Sequence, residues 1–400
     1  MEILYIAHCV PWPPDKGDRI RAFHSVDNLT KRHRVHLACF TRNAQDADAV
    51  SELRDRLASL RIEVLDLPTS LLRGFVGVAR GGSFTVAFHH SPALQAHIRS
   101  ILANHRIDAV VLLSSGTAAY APATVPFLAD WGDVDSEKRF QYARMRFPGF
   151  PHWFEGRRLR RVERDVALRS RRTFLTTDNE LRLFRQIAPE APLACCGNGV
   201  DVDYFNPGSA FATPPQLRGR NYIVFVGVMN YFPNSDGACW FAEQIFPQLR
   251  QRDPQLELVV VGRDPSQDVA KLANRPGITV TGAVVDVRPY LAAARAAVVP
   301  LRIARGIQNK VLEALAMGKS VIVSEEVHRT FMPDCPVGVI ACRSPGDYAD
   351  AVANLPMTPA PDWSIADAAR ARFSWSAALD PLLSELDALE QQTTAHTVSV

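Results

Sequence analysis

What most constrains this chain is an alternation that runs through it twice. Short apolar runs are each followed by a polar or glycine-bearing loop and then by a segment with helical spacing. In the first half the runs are Glu2–Ala7, Arg34–Phe40, Ile62–Leu65, Asp108–Leu113, Val125–Asp130, Thr173–Thr176 and Ala191–Cys196. In the second half they are Tyr222–Val226, Leu256–Val261, Ile278–Thr281, Ala296–Pro300, Ser320–Val323 and Gly338–Ile340. Helical spacing is read at Asp18–Arg32, Ala47–Leu60 and Pro92–Asn104, and again where Asn234, Ser235 and Asp236 offer caps to a helix carrying Phe241, Ile245 and Leu249. Strand, loop, helix, strand is the unit of a doubly wound parallel sheet, whose ligands sit beyond the carboxyl ends of the strands. The expected fold class is therefore α/β, with two Rossmann-like doubly wound domains.

A chain of 400 residues suits two domains, each able to bury its own core. The proline-rich stretch GSAFATPPQLRGR reads as the linker between them. The expected division is 1–206, a linker at 207–220, a second domain at 221–372, a helix at 373–392 packing back towards the first domain, and a disordered tail at 393–400. The net charge of +3 is close to neutral, so nucleic acid is not expected as a partner. Seven cysteines without framework spacing point to reduced thiols and a cytoplasmic protein. The start, MEILYIAHCVPWPP, reads as a first strand and not as a signal peptide, and no apolar run approaches the length of a membrane span.

The chemistry concentrates in RGIQNKVLEALAMGKSVIVS, Arg305 to Ser324. Gly306 lets the backbone approach a ligand. Asn309 is placed to cap a helix that carries Val311, Leu312, Leu315 and Ala316 towards a sheet, and Gly318 stops it. Lys310 and Glu313 share one face, with Lys310 in the first turn, where the helix dipole attracts anions. A nucleotide fits this arrangement, its diphosphate on amides and lysine and its ribose hydroxyls on Glu313. A surface ion pair on an ordinary helix fits it as well. Gly227 and Gly262 end strands but open no G-x-G-x-x-G turn, which disfavours a nicotinamide enzyme.

In the first half, Gly17 lies in the loop after the first strand among Asp15, Lys16, Asp18, Arg19 and Arg21. Asp130, Asp133 and Asp135 follow another strand, and one of Asp130 and Asp133 is expected to face the cleft. Asp133-Val134-Asp135 matches an Asp-x-Asp metal pattern, against which stands a turn or capping role for Asp135 and Ser136. From Lys138 to Arg172 twelve basic residues stand against three acids, with aromatics interleaved, so the stretch is a candidate for an anionic membrane surface. The alternative is a solvated helix with Glu163 and Asp165 pairing locally.

Taken together, NGVDVDYFNP, GVMNYFPNSDG, VTGAVVDVRPYLAAARAAVVPL, GIQNKVLEALAMGKSVI and FSW resemble the two-Rossmann-domain (GT-B) glycosyltransferases, specifically glycosyltransferase family four. PWPPDKGDRIRAFH and GDVDSEK add a resemblance to bacterial sugar transferases of exopolysaccharide and PEP-CTERM/exosortase systems. The resemblance implies domains facing across a cleft and a retaining, metal-independent transfer of a sugar, of hexosyltransferase type, from a nucleotide-diphosphate sugar to an acceptor hydroxyl. It implies no cofactor beyond that donor, and a lipid-linked or glycan acceptor on the inner face of the membrane. Glu313 would hold ribose hydroxyls, Lys310 the diphosphate, the backbone near Ala283 and Val284 the base, and Gly306, Ile307, Gln308 and Asn309 the sugar or phosphates. Asn230 and Gly262 fall in the loops expected around the donor, and Asp133 is carried as a catalytic candidate.

Two departures from the family pattern stand out. The family's first glutamate falls eight residues before Glu313, where this chain has Arg305. The usual arginine and lysine are missing from GVMNYFPN, so phosphate charge falls to Lys310, Arg305, Arg302 or Arg19. A rearranged site, a catalytically silent nucleotide-binding partner protein and a nucleotide-sugar epimerase are the readings in contention. The last lacks the acids and histidine it needs, since His89 and His90 form no such set.

Overall fold

The computed structural model describes residues 1–14, 17–43, 51–145 and 147–398. The expected Asp15 and Lys16 lie outside the described residues, as does the start of the expected helix at Ala47. Two compact units emerge, Met1–Gly197 with Leu379–Val400, and Asn198–Ala378.

The first unit is built on a parallel sheet of β1 (Glu2–Ala7), β2 (Arg34–Thr41), β3 (Ser59–Val64), β4 (Ala109–Leu113), β5 (Phe127–Gly132), β6 (Arg172–Leu175) and β7 (Leu193–Cys195) in the order β3-β2-β1-β4-β5-β6-β7. The second carries β8 (Asn221–Val226), β9 (Leu256–Val261), β10 (Ile278–Val280), β11 (Ala296–Val299), β12 (Val321–Ser324) and β13 (Val339–Cys342) in the order β10-β9-β8-β11-β12-β13. Each expected apolar run is a strand. The runs are continuous because helices cover both faces, and β4 and β11 are buried at every position. Strand order reverses between β1 and β4 and between β8 and β11, and such reversals open a crevice at the carboxyl edge of a parallel sheet.

Local differences have local causes. Among the described residues, the helix expected over Ala47–Leu60 is present as Ser51–Arg54, and its expected end is taken by β3, Ser59–Val64. This strand lies at the sheet edge, where Arg61 is exposed and Glu63 accepts from Ser91 Oγ at 2.8 Å, so only the end of the strand reads as apolar. Residues 198–220, which include the expected linker, belong to the second unit. There the amide of Val200 donates to the carbonyl of Phe373 at 2.7 Å and Arg370 pairs with Asp203 at 3.1 Å. The last helix runs from Trp375 to Val398, past the expected stop at 392. It buries Leu379, Leu382, Leu386 and Leu389, and Glu385 meets Arg171 at 2.8 Å and Arg172 at 3.0 Å.

Within the second unit two buried cations are spent on structure. Lys319 donates to the carbonyls of Ala292 (2.7 Å) and Ala294 (3.1 Å) and to that of Pro359, and burial pulls its ammonium down to about 8. Arg295 serves the carbonyls of Val352, Leu355 and Pro356 and the carboxylate of Asp253. Both flank the starts of strands, so neither is at the carboxyl edge where a ligand would sit.

Candidate functional site: the carboxyl edge of the second sheet

At the reversal between β8 and β11, three loops are tied together by backbone bonds. The amide of Gly227 donates to Val261 O (3.0 Å), that of Met229 to Arg263 O (2.9 Å) and that of Gly262 to Gly282 O (3.2 Å). A Cβ on Gly262 would stand 1.6 Å from the carbonyl oxygen of Gly227, so only glycine permits this approach. Gly262→Ala is expected to push the loops after β8 and β9 apart and to cost about 2–3 kcal/mol, read as a lowered midpoint in denaturant titration. An unchanged midpoint would mean the loops part without resistance.

Across the reversal, the loop after β11 turns at Gly306, whose φ of +59° suits glycine, and leads into the helix Asn309–Ala316, which ends at Gly318 with φ +66°. Val311, Leu312 and Leu315 are buried, which fixes the face that Lys310 and Glu313 present. The expected cap is corrected. Gln308 occupies the cap position without a side-chain bond, its amide nitrogen donating instead to Arg305 O at 2.9 Å. Asn309 is the first helical residue, and its Oδ1 accepts from Asn198 Nδ2 at 3.2 Å. A one-residue shift separates a cap from the first turn, and that shift is not written in the residue types.

Lys310 is held. Its Nζ donates to Asn234 Oδ1 at 2.6 Å and lies 5.6 Å from the centroid of the Phe225 ring. Asn234, only 4% exposed, donates in turn to Val228 O at 2.9 Å. Burial pulls the Lys310 ammonium down to about 8, against the pull of Glu313, and burial pushes the Glu313 carboxyl up to about 7, against Lys310. The arrangement is a partly buried cation and a carboxyl one turn apart, poised near neutrality at a sheet reversal.

Asn234 was missed by sequence reasoning, which treated Asn234, Ser235 and Asp236 as caps. The helix starts earlier, at Phe232–Trp240, because Pro233 fits its first turn. The three polar residues therefore lie inside it: Ser235 donates to Phe232 O, Asn234 holds Lys310, and Asp236 pairs with Arg302. The usable signal was Pro233 directly after Tyr231 and Phe232 in the loop beyond β8, followed by an asparagine too deep for a cap.

The other expected donor residues are placed as follows. Arg302 is exposed and engaged with Asp236 through Nε at 2.9 Å and through its terminal nitrogen. Arg305 and Ile307 are half-buried in the loop before the helix, and Ile307 packs on the core. Asn230 is exposed in the loop after β8. Gly282, with φ +69°, turns the chain after β10, leaving Ala283 exposed and Val284 against the core. Gly262, Asn230, Ala283, Val284, Gly306, Gln308, Lys310 and Glu313 thus all belong to one edge of one sheet.

The first-unit candidates belong to a different sheet. Gly17 opens the helix Gly17–Thr30, with Arg19 in its first turn. Asp18 lies 3.4 Å from His8 at the end of β1; burial works against the His8 imidazolium, but Asp18 outweighs it and raises the ring above its ordinary range. The Asp-x-Asp carboxylates part company: Asp133 accepts from Thr176 Oγ1 at 3.0 Å, and Asp135 from Ser115 Oγ at 2.5 Å. Asp130 is wholly buried against Arg21, with Nε at 2.9 Å and the terminal nitrogen at 2.6 Å, and so does not face solvent. Glu163, expected to pair locally, is buried beneath the helix Asp135–Met145 and accepts from the amide of Ser136 at 3.0 Å, its carboxyl pushed up to about 8 by burial. Among the described residues, the one group with metal-ligand spacing is Glu2, His36 and His105, which sits at the start of β1 and β2.

Residues 220–356 match the family model described as glycosyl transferases group 1. No curated protein sequence matches the chain. Among solved structures, sucrose-phosphate synthase from Thermosynechococcus elongatus superposes with a TM-score of 0.67 at 15% identity, covering 99% of this chain and 99% of that one. HepE from Anabaena, in complex with UDP and glucose, gives 0.64 at 13% identity over 97% and 100%. WaaG, a glycosyltransferase involved in lipopolysaccharide biosynthesis, gives 0.60 at 15% over 95% and 98%. At such identities the likeness is one of fold, and the family match is confined to 220–356, which contains Asn234, Lys310 and Glu313. Residues 220–356 of this chain are thus similar to the group 1 glycosyl transferases, and the chain as a whole has the GT-B fold.

Proposed function

We propose that the chain transfers a sugar from a nucleoside diphosphate sugar to an acceptor hydroxyl with retention of configuration, without a bound metal, in the synthesis of an exopolysaccharide or other surface glycan. The observation that carries the reading is Lys310, clamped by Asn234 at the β8/β11 reversal with Glu313 one turn further on. A diphosphate leaving group gains negative charge as the glycosidic bond breaks, and a fixed ammonium beside loop amides stabilises that charge with no reorganisation. Glu313 receives the ribose hydroxyls. HepE, of the same fold, was solved with UDP and glucose, which supports a donor of this chemical class. Arg305, where the family pattern has a carboxylate, adds a second cation on the phosphate side and takes over charge that a metal would otherwise supply.

The acceptor is read as lipid-linked or glycan, reached at a membrane surface. The stretch 138–172 supports this through its helix Phe150–Arg169, where Phe150, Trp153 and Phe154 are exposed beside Arg157, whose guanidinium lies 4.9 Å over the Trp153 ring. No helix among the described residues is long and apolar enough to cross a membrane.

A screen of nucleoside diphosphate sugars, read by product mass and repeated with membrane extract as acceptor source, is expected to give one donor that yields nucleoside diphosphate and a glycosylated product. A second reading, a silent nucleotide-binding protein, is favoured by the same Arg305. Binding of a nucleoside diphosphate in calorimetry with no turnover on any donor and acceptor pair would select it.

A further inference from the structure

The helix Leu67–Ala79 in the first unit is built inside out. Its inward face is made of small residues: Ser70 and Gly74 are buried, and a Cβ on Gly74 would stand 2.4 Å from the Phe84 ring, one on Gly77 2.4 Å from Ala87 Cβ. Its outward face holds the large ones. Leu72 and Phe75 are each 64% exposed, Leu67 54% and Val76 40%. Water offers no reason to bury serine and glycine and to expose leucine and phenylalanine along one helix, and an apolar face of this kind marks a surface that meets something apolar. Asp66 caps the helix, accepting from Thr69 N at 2.9 Å, so the element is formed before any partner arrives.

Charge identifies that partner. From Leu67 to Ile107 there is no aspartate or glutamate, while Arg73, Arg80, Arg99 and Arg106 are present. The helix packs on Phe84–Phe88 through the Phe75–Phe84 ring contact at 5.5 Å, and Glu155 of the helix Phe150–Arg169 binds the amides of Phe84 (2.7 Å) and Thr85 (2.9 Å). The inside-out helix and the aromatic, arginine-rich helix are thus joined through one short element. An apolar face whose own helix carries Arg73 and Arg80, with no carboxylate after the Asp66 cap, fits the boundary of an anionic lipid bilayer, where acyl chains meet negative headgroups. We propose that Leu67–Ala79 is a wedge that enters the acyl layer of an anionic membrane and seats the first unit upon it. The inference rests on the membrane part of the reading above and adds to it the element that inserts.

The test is flotation of the full chain with vesicles of phosphatidylcholine alone and of phosphatidylcholine mixed with phosphatidylglycerol. The native chain is expected to float with the mixed vesicles only. Leu72→Asp with Phe75→Asp, at exposed positions that the fold tolerates, is expected to weaken the partition by on the order of 100-fold. Arg157→Ala with Arg161→Ala is expected to lower it about tenfold and to make its salt dependence shallower. Equal flotation of the native chain and the Leu72/Phe75 variant overturns the wedge while leaving surface binding by the basic helix in place. No flotation of the native chain overturns both. If light scattering shows instead a native dimer that the Leu72/Phe75 variant loses, and neither floats, the face is a contact between copies and the proposal is wrong. Donor hydrolysis in solution, followed in parallel, is expected to be the same for native and variant chains, so a failed transferase reading shows separately from a failed wedge.

Discussion

Lys310→Ala is expected to lower kcat/KM for the nucleotide-sugar donor by about 100- to 1,000-fold, the effect of removing one preorganised donor from developing charge. The ammonium is already fixed by Asn234 before the donor arrives. Its loss therefore removes transition-state stabilisation as well as ground-state affinity, and kcat should fall together with kcat/KM. Glu313→Gln keeps the shape and one acceptor, so about a tenfold loss, mostly in KM, is expected. Initial rates with a single donor at saturating acceptor measure both. Unaltered rates in the two variants would remove these residues from the site.

The same pair sets a pH profile. The Lys310 ammonium, pulled down to about 8 by burial, loses its proton as pH rises through that value, so anion binding weakens above it. The Glu313 carboxyl, pushed up to about 7 by burial, is neutral below that value and accepts ribose hydroxyls less well there. In the free enzyme kcat/KM should therefore rise towards pH 7 and fall above 8, the two limbs belonging to the coupled pair. Lys310→Arg should abolish the alkaline fall, because a guanidinium keeps its proton throughout. An alkaline limb that survives in that variant would assign it to another group.

The second large effect is on stability. Asp130 is 0% exposed and Arg21 5%, and the guanidinium also donates to Gly197 O at 2.7 Å and Cys196 O at 3.1 Å. Burial works against the charged guanidinium, but Asp130 more than offsets it and holds its pKa above the ordinary value. The pair ties the helix Gly17–Thr30 to the end of β5 and to the chain after β7. Asp130→Asn leaves a buried guanidinium facing a neutral amide and is expected to cost about 3–5 kcal/mol. In thermal unfolding followed by circular dichroism, that is a drop on the order of 10 °C. Arg21→Met combined with Asp130→Leu should recover part of the loss, but not all, since the two carbonyls keep no donor. A drop of less than about 2 °C in Asp130→Asn would show that the pair carries no such weight.

The strands were legible because a parallel sheet covered on both faces needs runs of apolar residues, and such runs have little other use. Where that condition lapses, legibility lapses too, as at the edge strand β3, whose polar Arg61 and Glu63 hid its first residues. The placement of Gly306, Lys310, Glu313 and Gly318 was legible, since it follows from the spacing around one helix. It was not legible at Asn234, whose role is to reach a lysine 76 positions away. Nor was Glu163, which sequence places in a basic run and the fold places under the amide of Ser136.

By itself, then, the sequence determined two tandem doubly wound sheets, the position of their loops, and the helix that presents Lys310 and Glu313. These depend on periodicity and on local residue preference, which neighbours along the chain settle among themselves. Only the tertiary structure decided which side chains are spent and which remain: Arg302 on Asp236, Arg21 on Asp130, Lys319 on three carbonyls, Lys310 on a single asparagine. It also decided that the leucines and phenylalanine of Leu67–Ala79 face outward. The physical reason is shared: burial and partner choice are set by distances between segments remote in sequence, and a pattern read along the chain carries no such distances.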